Sequence, residues 1–211
     1  MTGMKLTLMG TMVLAAGVLI GVGASGQDSP TAPAMGDGIP SPEAMVEMMK
    51  EMSAPVMEHE RLGALVGTWD QKGVFNMGPG TEPIEMSSTV ENRWILGKRF
   101  VESVSTGTFM ETPMESRLTY GFDSRPGFGD YYMIGIDTMG TYYVAPRGSY
   151  DPATNSFTFA GEEFDPMSGQ KMKYRFVVTI ESKDKHTWKW IMQIPGMDEF
   201  EAMRAEVTRR K

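Results

Sequence analysis

The chain has 211 residues, a formal net charge of −7 and no cysteine. The acidic balance argues against a nucleic-acid-binding domain, which needs a basic face, and against electrostatic docking on an anionic membrane. Without cysteine the chain forms no disulfide and carries no lipid on a thiol, so its stability must come from packing.

The first predicted element is a signal peptide at residues 1–26. Lys5 provides a short positive region, residues 6–23 form an apolar run without charge, and the small residues 24–26 suit a cleavage site. We expect the mature chain to start at Gln27, which makes this an exported protein, periplasmic or secreted, with no integral membrane span after cleavage. The alternative is a retained membrane anchor, because the run is about as long as a spanning helix.

A linker and two helices are predicted next. Residues 27–42 are rich in proline and glycine and have no means of burying a core. Ser41-Pro42-Glu43 combines an N-cap, a first-turn proline and a first-turn acid, which predicts a helix from Pro42 to about Met52. A second helix is predicted from Val56 to Leu65, ending at Gly67.

From Trp69 onward, polar and apolar residues alternate as in half-buried strands. The clearest runs are 84–94, 118–122 and 171–180, and turn motifs rich in Gly, Pro, Asn and Asp separate the runs. About ten strands are predicted, starting near residues 68, 84, 98, 115, 130, 141, 156, 170, 186 and 200. Ten short antiparallel strands in sequence order can close on themselves and so remove their edges.

We therefore predict an all-β fold, a single antiparallel up-and-down β-barrel of about ten strands with one or two short N-terminal helices over one end. The chain divides into a signal peptide (1–26), a linker (27–42), a helical segment (43–66) and the barrel (67–211). Side chains fill the interior of a barrel of this size only in part, which leaves room for a small ligand.

Several short landmarks occur in an order and spacing that resemble the bacterial family called domain of unknown function 1579, which looks like a relative of the lipocalin-like (calycin) barrels. The landmarks are His59 to Leu65 with Gly67-Thr68-Trp69, Arg93 to Phe100, Tyr120 to Asp123, Ile136 to Thr138, Asp165-Pro166 with Gly169, and Val207 to Arg210. The resemblance extends from about His59 to Lys211. It implies a lipocalin-like fold in a bacterial protein, and it implies no agreed activity.

Trp69 is predicted to close one end of the barrel. In lipocalin-like barrels a Gly-x-Trp opens the first strand after a short helix, and a basic residue of the last strand packs across the indole. A guanidinium over an indole face is favourable, and closure places the last strand beside the first, so Arg209 or Arg210 is the expected partner. The alternative is that Trp69 is an ordinary core aromatic. Either way Trp69 and Arg209 have a structural role.

The candidate ligand-binding residues are aromatic side chains expected to face the interior and a few polar groups that would orient a ligand. They are Trp94, Phe100, Arg99, Arg117, Tyr120, Tyr132, Phe176, Trp188 and Trp190. One member of each pair Tyr131-Tyr132 and Tyr142-Tyr143 is also expected to face inward. Such a lining suits an apolar or flat ligand. The alternative is that these aromatics fill the barrel completely.

No cofactor and no metal site is predicted, although two motifs leave an alternative open. Met45, Met48, Met49 and Met52 share one helix face, which is an apolar stripe, a lid over the barrel mouth, or a Cu(I) site in an exported protein. His186 has the strand parity of Trp188 and Trp190. It is either an inward-facing residue that can ligate haem, as in some ten-stranded lipocalin-like barrels, or a solvent-facing residue at a strand start.

The remaining polar residues are interpreted as structural. His59 is expected on the helix surface. Asp123 and Asp137 each end a strand and are expected to cap turns or hold the barrel rim. Glu162 and the acids that follow it precede a turn, so we expect solvated acids rather than a Ca²⁺ or acid–base site.

The chain lacks the parts of most catalytic schemes. It has two histidines, no cysteine, no Ser-His-Asp order and no Gly-rich phosphate loop. This disfavours an enzyme without excluding one. The expected function is non-catalytic binding of a small hydrophobic or amphipathic molecule inside the barrel. The alternative is a protein-interaction or assembly module with a filled barrel, whose partner the sequence does not name.

Overall fold

The computed structural model describes residues 40–78, 80–164 and 169–211. The predicted signal peptide, nearly all of the predicted linker and Asp165 lie outside the described residues. Two helices precede the strands, α1 (Pro42–Met52) and α2 (Met57–Arg61), and a 3₁₀ turn (Leu62–Leu65) continues α2. No helix in the described part of the chain has the length and apolar content needed to cross a bilayer.

Helix α1 begins and ends where the local sequence predicts. The Ser41 hydroxyl accepts a hydrogen bond from the Ala44 N–H at 3.2 Å, which satisfies one of the free donors of the first turn. The helix buries no residue: Met48, Met49 and Met52 are exposed and Met45 is half-buried, so the methionine stripe does not form a lid packed on the barrel. A hydrogen bond from Arg99 Nε to the Ser53 carbonyl oxygen, at 2.8 Å, links the end of the helix to the barrel.

Ten antiparallel strands follow the helices. They are β1 (Gly67–Phe75), β2 (Ile84–Ile95), β3 (Phe100–Phe109), β4 (Thr112–Phe122), β5 (Tyr131–Asp137), β6 (Arg147–Asp151), β7 (Ser156–Phe164), β8 (Lys171–Ser182), β9 (Lys185–Gln193) and β10 (Phe200–Arg209). Each strand pairs with its sequence neighbours, and β1 also pairs with β10, so the sheet closes. The all-β, ten-stranded up-and-down barrel predicted from the sequence is therefore confirmed.

The sixth strand begins later than the sequence indicated. Tyr142 and Tyr143 lie exposed in the loop before β6, where Val144 forms a bridge to Gly135. Pro146 has no N–H to give to a ladder, so a strand starting near residue 141 would be interrupted there. The expectation that Tyr142 or Tyr143 faces the interior is wrong for this reason. Because β6 starts late, it pairs with β5 at two residue pairs.

The part of the barrel nearest the helices is filled with side chains. Leu62 and Leu65 of the 3₁₀ turn are buried there and close this end. They join one apolar cluster with inward-facing residues of five strands, which are Val101, Tyr120, Tyr131, Met133, Phe157, Phe159, Val178 and Ile180. Because side chains fill this end of the barrel, a ligand in the interior would have to lie nearer the opposite end.

Candidate functional site

Trp69 joins four parts of the chain at the floor of the barrel. Its side chain is 0% exposed, and its Nε1 donates to the Leu65 carbonyl oxygen at 2.8 Å. The Arg209 guanidinium carbon lies 4.0 Å from the centre of the indole, and the His186 ring meets the indole edge-on with ring centroids 4.6 Å apart. Arg209 also donates to the Val66 carbonyl oxygen at 3.0 Å. These contacts tie the 3₁₀ turn, β1, β9 and β10 together.

A belt of polar side chains, Gln71, Ser88 and His186, lies on the inner wall one residue pair above Trp69. Ser88 on β2 lies opposite Gln71 on β1, and Gln71 lies opposite Val207 on β10. Val207 in turn lies opposite His186 on β9. Gln71 accepts a hydrogen bond from the Trp188 indole at 2.8 Å. We call these three residues the polar belt.

Several buried polar atoms of the inner wall have no hydrogen-bond partner among the described residues. They are His186 Nδ1, Ser88 Oγ, Trp190 Nε1 and Asn92 Oδ1. A buried polar group left unpaired costs about 1–3 kcal/mol, so such groups in native proteins are usually paired with something. The inner wall is therefore able to hydrogen-bond a polar group that enters the barrel.

Beyond the polar belt, the inner wall is mainly apolar as far as the end remote from the helices, which we call the mouth. Glu163 is an exception there, because it shares the face of β7 that carries Phe157 and Phe159. Phe75 and Phe109 meet there with ring centroids 5.3 Å apart, and Tyr174 and Trp190 meet at 5.9 Å. Phe75, Phe109 and Trp190 are only partly buried. Between the belt and the mouth, Ala205 contributes no more than a methyl group. The mouth thus presents partly accessible apolar side chains above hydrogen-bonding groups.

The buried histidine and tyrosines of the inner wall are uncharged at neutral pH. Burial, and secondarily the Arg209 cation, lowers the pKa of His186 to about 4. Burial raises the pKa of Tyr174 to about 12 and also raises the pKa of Tyr120. His186 faces the interior, as haem ligation would require. The Trp69 indole already packs against one side of the His186 ring.

The sequence-predicted site residues lie in three different places. Those on the inner wall are Trp94, Tyr120, Phe176, Trp188 and Trp190. Arg99, Phe100 and Tyr132 line a cleft outside the interior. Arg117 lies exposed on the outer face of β4, where its Nε contacts a Glu115 carboxylate oxygen at 3.0 Å. The structure thus brings five of the nine together inside the barrel.

The cleft outside the interior has a volume of about 530 Å³ and lies at the rim of the helix end. We call it the rim cleft; it is lined by Ser53, His59, Arg99, Phe100, Phe122, Asp123, Ser124, Arg125, Tyr132, Met133, Ile134, Ala145 and Arg147. Phe100 and Tyr132 form an aromatic wall with ring centroids 6.4 Å apart. This wall requires Gly121 on the strand behind it, because a Cβ there would lie 2.5 Å from the Tyr132 ring.

Asp123 is the electrostatic centre of the rim cleft. It is 8% exposed and accepts hydrogen bonds from Arg125 Nε at 2.8 Å and Nη2 at 2.6 Å. Arg147 Nη1 lies 3.7 Å from the same carboxylate. The Arg125 guanidinium is the main reason that the pKa of Asp123 falls to about 2. The sequence-based expectation that Asp123 caps a turn describes part of this arrangement, since it also accepts from the Arg125 backbone N–H at 3.3 Å.

His59 is buried rather than placed on the helix surface, so that expectation is wrong. Its Nδ1 accepts a hydrogen bond from the Val56 N–H at 3.1 Å, and its ring meets Phe122 edge-on with centroids 5.7 Å apart. Burial lowers the pKa of His59, so the imidazole at the end of the rim cleft is neutral at pH 7.

Sequence reasoning did not identify Arg125 and Arg147 as functional candidates. Arg125 stands in a Pro-Gly turn and Arg147 at a strand start, and neither context marks a binding residue. The Asp-x-Arg spacing from Asp123 to Arg125 is the one local signal that the two side chains meet. Among the described residues, no group of three or more His, Cys, Asp or Glu side chains is placed to hold a metal ion.

The family model described as "Protein of unknown function (DUF1579)" matches residues 54–209. The chain belongs to the DUF1579 family. The matched segment of this DUF1579 chain starts before α2 and ends with β10, so it contains the whole barrel together with the 3₁₀ turn that closes its floor.

Comparison with solved structures supports the fold. The crystal structure of Rv2717c from M. tuberculosis is similar with a TM-score of 0.54 and 15% identity, covering 75% of this chain and 100% of that one. A redesigned β-barrel has a TM-score of 0.36 and 11% identity, covering 72% of this chain and 96% of that one. Comparison with curated proteins gave no match. At 15% identity the likeness to Rv2717c concerns the barrel fold alone.

Proposed function

We propose that this DUF1579 barrel binds a small hydrophobic or amphipathic molecule in its interior, without catalysis. The observation that carries the proposal is the set of unpartnered polar atoms on the inner wall, above all His186 Nδ1, Ser88 Oγ and Trp190 Nε1. A ligand with one uncharged polar end would pair with these atoms and remove their desolvation cost.

The apolar part of such a ligand would lie between the polar belt and the mouth. Burial of apolar ligand surface contributes about 25 cal/mol per Å², and aromatic side chains such as Trp188 and Trp190 supply most of the contact area. Phe176 is the register partner of Trp190 on the same inner wall, and Tyr120 lies deeper, in the buried cluster. Because the buried histidine and tyrosines of the inner wall are uncharged at neutral pH, the interior favours a neutral molecule over an ion.

N-phenyl-1-naphthylamine, an uncharged amphipathic fluorophore, tests the proposal directly. We expect it to bind and to quench emission from Trp188 and Trp190. We expect Ser88→Leu to raise its Kd by about tenfold or more, because the leucine fills the space and removes the hydroxyl. Ser87→Leu is the matched control, because Ser87 is exposed on the outer face of the same strand, and its Kd should stay within about twofold of the parent.

Two results would contradict interior binding. One is a probe that does not bind the parent chain at all. The other is binding that Ser88→Leu and Ser87→Leu weaken equally, which would place the probe on the outer surface. Thermal unfolding of both variants shows that each is folded before the titrations are compared.

An interaction or assembly module is the second candidate function. The supporting observation is the outer side of β5 and the loop after it, where Ile134, Ile136, Met139 and Tyr143 are exposed large apolar side chains. Exposed apolar patches of this kind often mark protein contacts. A chain that binds no interior probe but sediments as an oligomer dispersed by Ile136→Lys would favour this candidate.

We also propose that the protein acts outside the cytoplasm, in the periplasm or secreted. The support is the positive, apolar and small-residue order of the first 26 residues, which is typical of a cleaved signal. Intact mass spectrometry of the protein from its host is expected to show a chain starting at Gln27. A full-length chain found in the membrane fraction would instead indicate the retained anchor.

A further inference from the structure

We infer that the rim cleft is a second binding site, separate from the barrel interior, and that it takes a small organic anion: a flat apolar body bearing one acidic group such as a carboxylate, sulfonate or phosphate. Its volume of about 530 Å³ suits a ligand of that size. The inference does not depend on the interior being occupied.

The charge in the rim cleft is predominantly positive. Arg99, Arg125 and Arg147 line it, and the facing carboxylates are Asp123 and Asp130, the latter 3.5 Å from Arg147. His59 adds no charge at neutral pH, because burial keeps its imidazole neutral. Three guanidinium groups against two carboxylates leave a local excess of one positive charge, which an acidic ligand group would balance.

The two guanidinium groups nearest Asp123 are held in place before any ligand arrives. Asp123 engages two nitrogens of Arg125, which leaves further N–H donors of that guanidinium unused by the carboxylate. The Phe128 ring lies under both groups, with its centre 4.2 Å from the Arg125 guanidinium carbon and 5.7 Å from that of Arg147. Guanidinium groups positioned in this way lose little entropy on binding, which favours affinity.

An aromatic wall completes the rim cleft beside these charges. Phe100 and Tyr132 are only partly buried, so they offer apolar contact to a planar ligand body. Burial, with a contribution from Asp123, raises the pKa of Tyr132, which keeps its phenol protonated at neutral pH. Cationic donors and an aromatic wall within one cleft are the combination that recognises an amphipathic anion.

The test compares two fluorophores that differ by one sulfonate, 1-anilinonaphthalene-8-sulfonate and N-phenyl-1-naphthylamine. Both are titrated against the full chain carrying Ser88→Leu, which restricts the interior. We expect the sulfonate to bind at least about tenfold more tightly than the uncharged probe, and its affinity to fall as salt is raised.

Arg147→Gln is expected to weaken sulfonate binding by about tenfold, because a charge-assisted contact is lost. Arg117→Gln is the matched control, since it removes the same charge from the outer face of β4, away from the lining of the rim cleft, and should change the Kd by less than about twofold. Arg99→Gln is a second test variant, which leaves the contacts of Asp123 with Arg125 and Arg147 intact. It should also weaken binding of the sulfonate probe. Thermal unfolding of each variant verifies folding.

Equal binding of the two probes, or equal effects of Arg147→Gln and Arg117→Gln, would overturn the inference. Sulfonate binding that survives both Arg147→Gln and Arg99→Gln would do the same. None of these results bears on interior binding of the uncharged probe by the parent chain, so the two proposals fail independently.

Discussion

Replacing Trp69 with alanine is expected to lower the free energy of unfolding by about 4 kcal/mol, the range found for large aromatic truncations in cores. The indole is 0% exposed, and its removal leaves a cavity between the 3₁₀ turn and the strands that close the barrel. It also leaves the Leu65 carbonyl oxygen without the indole donor and exposes the Arg209 guanidinium to an empty space.

The size of this effect follows from where Trp69 stands. The closing pair of strands, β1 and β10, aligns Trp69 with Arg209, so the cavity opens at the seam on which closure depends. A truncation elsewhere in the core removes packing but leaves the seam intact. For this reason we also expect Trp69→Ala to expose more of the β1 and β10 amides to hydrogen exchange than of the β3 and β4 amides.

Urea unfolding followed by circular dichroism measures the loss. Trp69→Phe is the matched control, because it keeps a large ring under Arg209 and removes the indole N–H; we expect it to cost about 1–2 kcal/mol. A loss below about 1 kcal/mol for Trp69→Ala would show that the floor of the barrel does not depend on the indole.

The free energy of unfolding is expected to fall by about 3 kcal/mol between pH 7 and pH 4 on account of His186 alone. Its pKa is lowered from 6.5 to about 4, first by burial and then by the neighbouring Arg209 cation. Below pH 6.5 the unfolded chain binds a proton on this residue while the folded chain does not, so stability declines as the pH falls. One pKa unit corresponds to about 1.4 kcal/mol, and the decline ends near the folded pKa.

The pH window distinguishes this effect from ordinary acid unfolding. Asp123, whose pKa is lowered to about 2 by Arg125, loses its stabilising contribution only as the pH falls below about 4. Burial also lowers the pKa of His59, so this second histidine acts in the same direction and the same window as His186.

Urea unfolding of the parent chain, His186→Gln and His59→Gln at pH 7, 6, 5 and 4 separates the contributions. We expect His186→Gln to be less stable than the parent at pH 7 and to have a much flatter dependence on pH. His59→Gln should keep most of the slope. A parent chain whose stability does not change between pH 7 and pH 4, or a His186→Gln variant with the parent's slope, would contradict the assignment.

Local signals explain which parts of the fold could be predicted. The limits of α1 follow from Ser41, Pro42 and the stop before Pro55, which act on residues within one helical turn. Strand alternation and turn residues predicted ten strands, and nine of the ten starts lie within three residues of those observed. The sixth start was misplaced because alternation around Tyr142 and Tyr143 resembles a strand, while the interruption at Pro146 depends on pairing with β5.

The candidate site could be predicted only in part. Trp188 and Trp190 share the parity of an inward face, so period-two alternation places both inside the barrel. Phe100 was also expected inside as an inward aromatic, and Arg99 as a polar group that orients a ligand, although both line the rim cleft. Aromatic character does not distinguish an inner wall from an outer one, since an outward aromatic can pack across a neighbouring strand that carries glycine, as Tyr132 does over Gly121.

By itself the sequence determined the strand count, the first helix and the aromatic character of the inner wall, because each depends on the spacing of residues close together in the chain. The rim cleft could be found only from the tertiary structure, which brings His59, Arg99, Asp123 and Arg147 together from four separate segments of the chain. It also decided which polar atoms of the inner wall lack partners. Both properties arise from barrel closure, which sets distances between residues far apart in sequence, and no local pattern contains those distances.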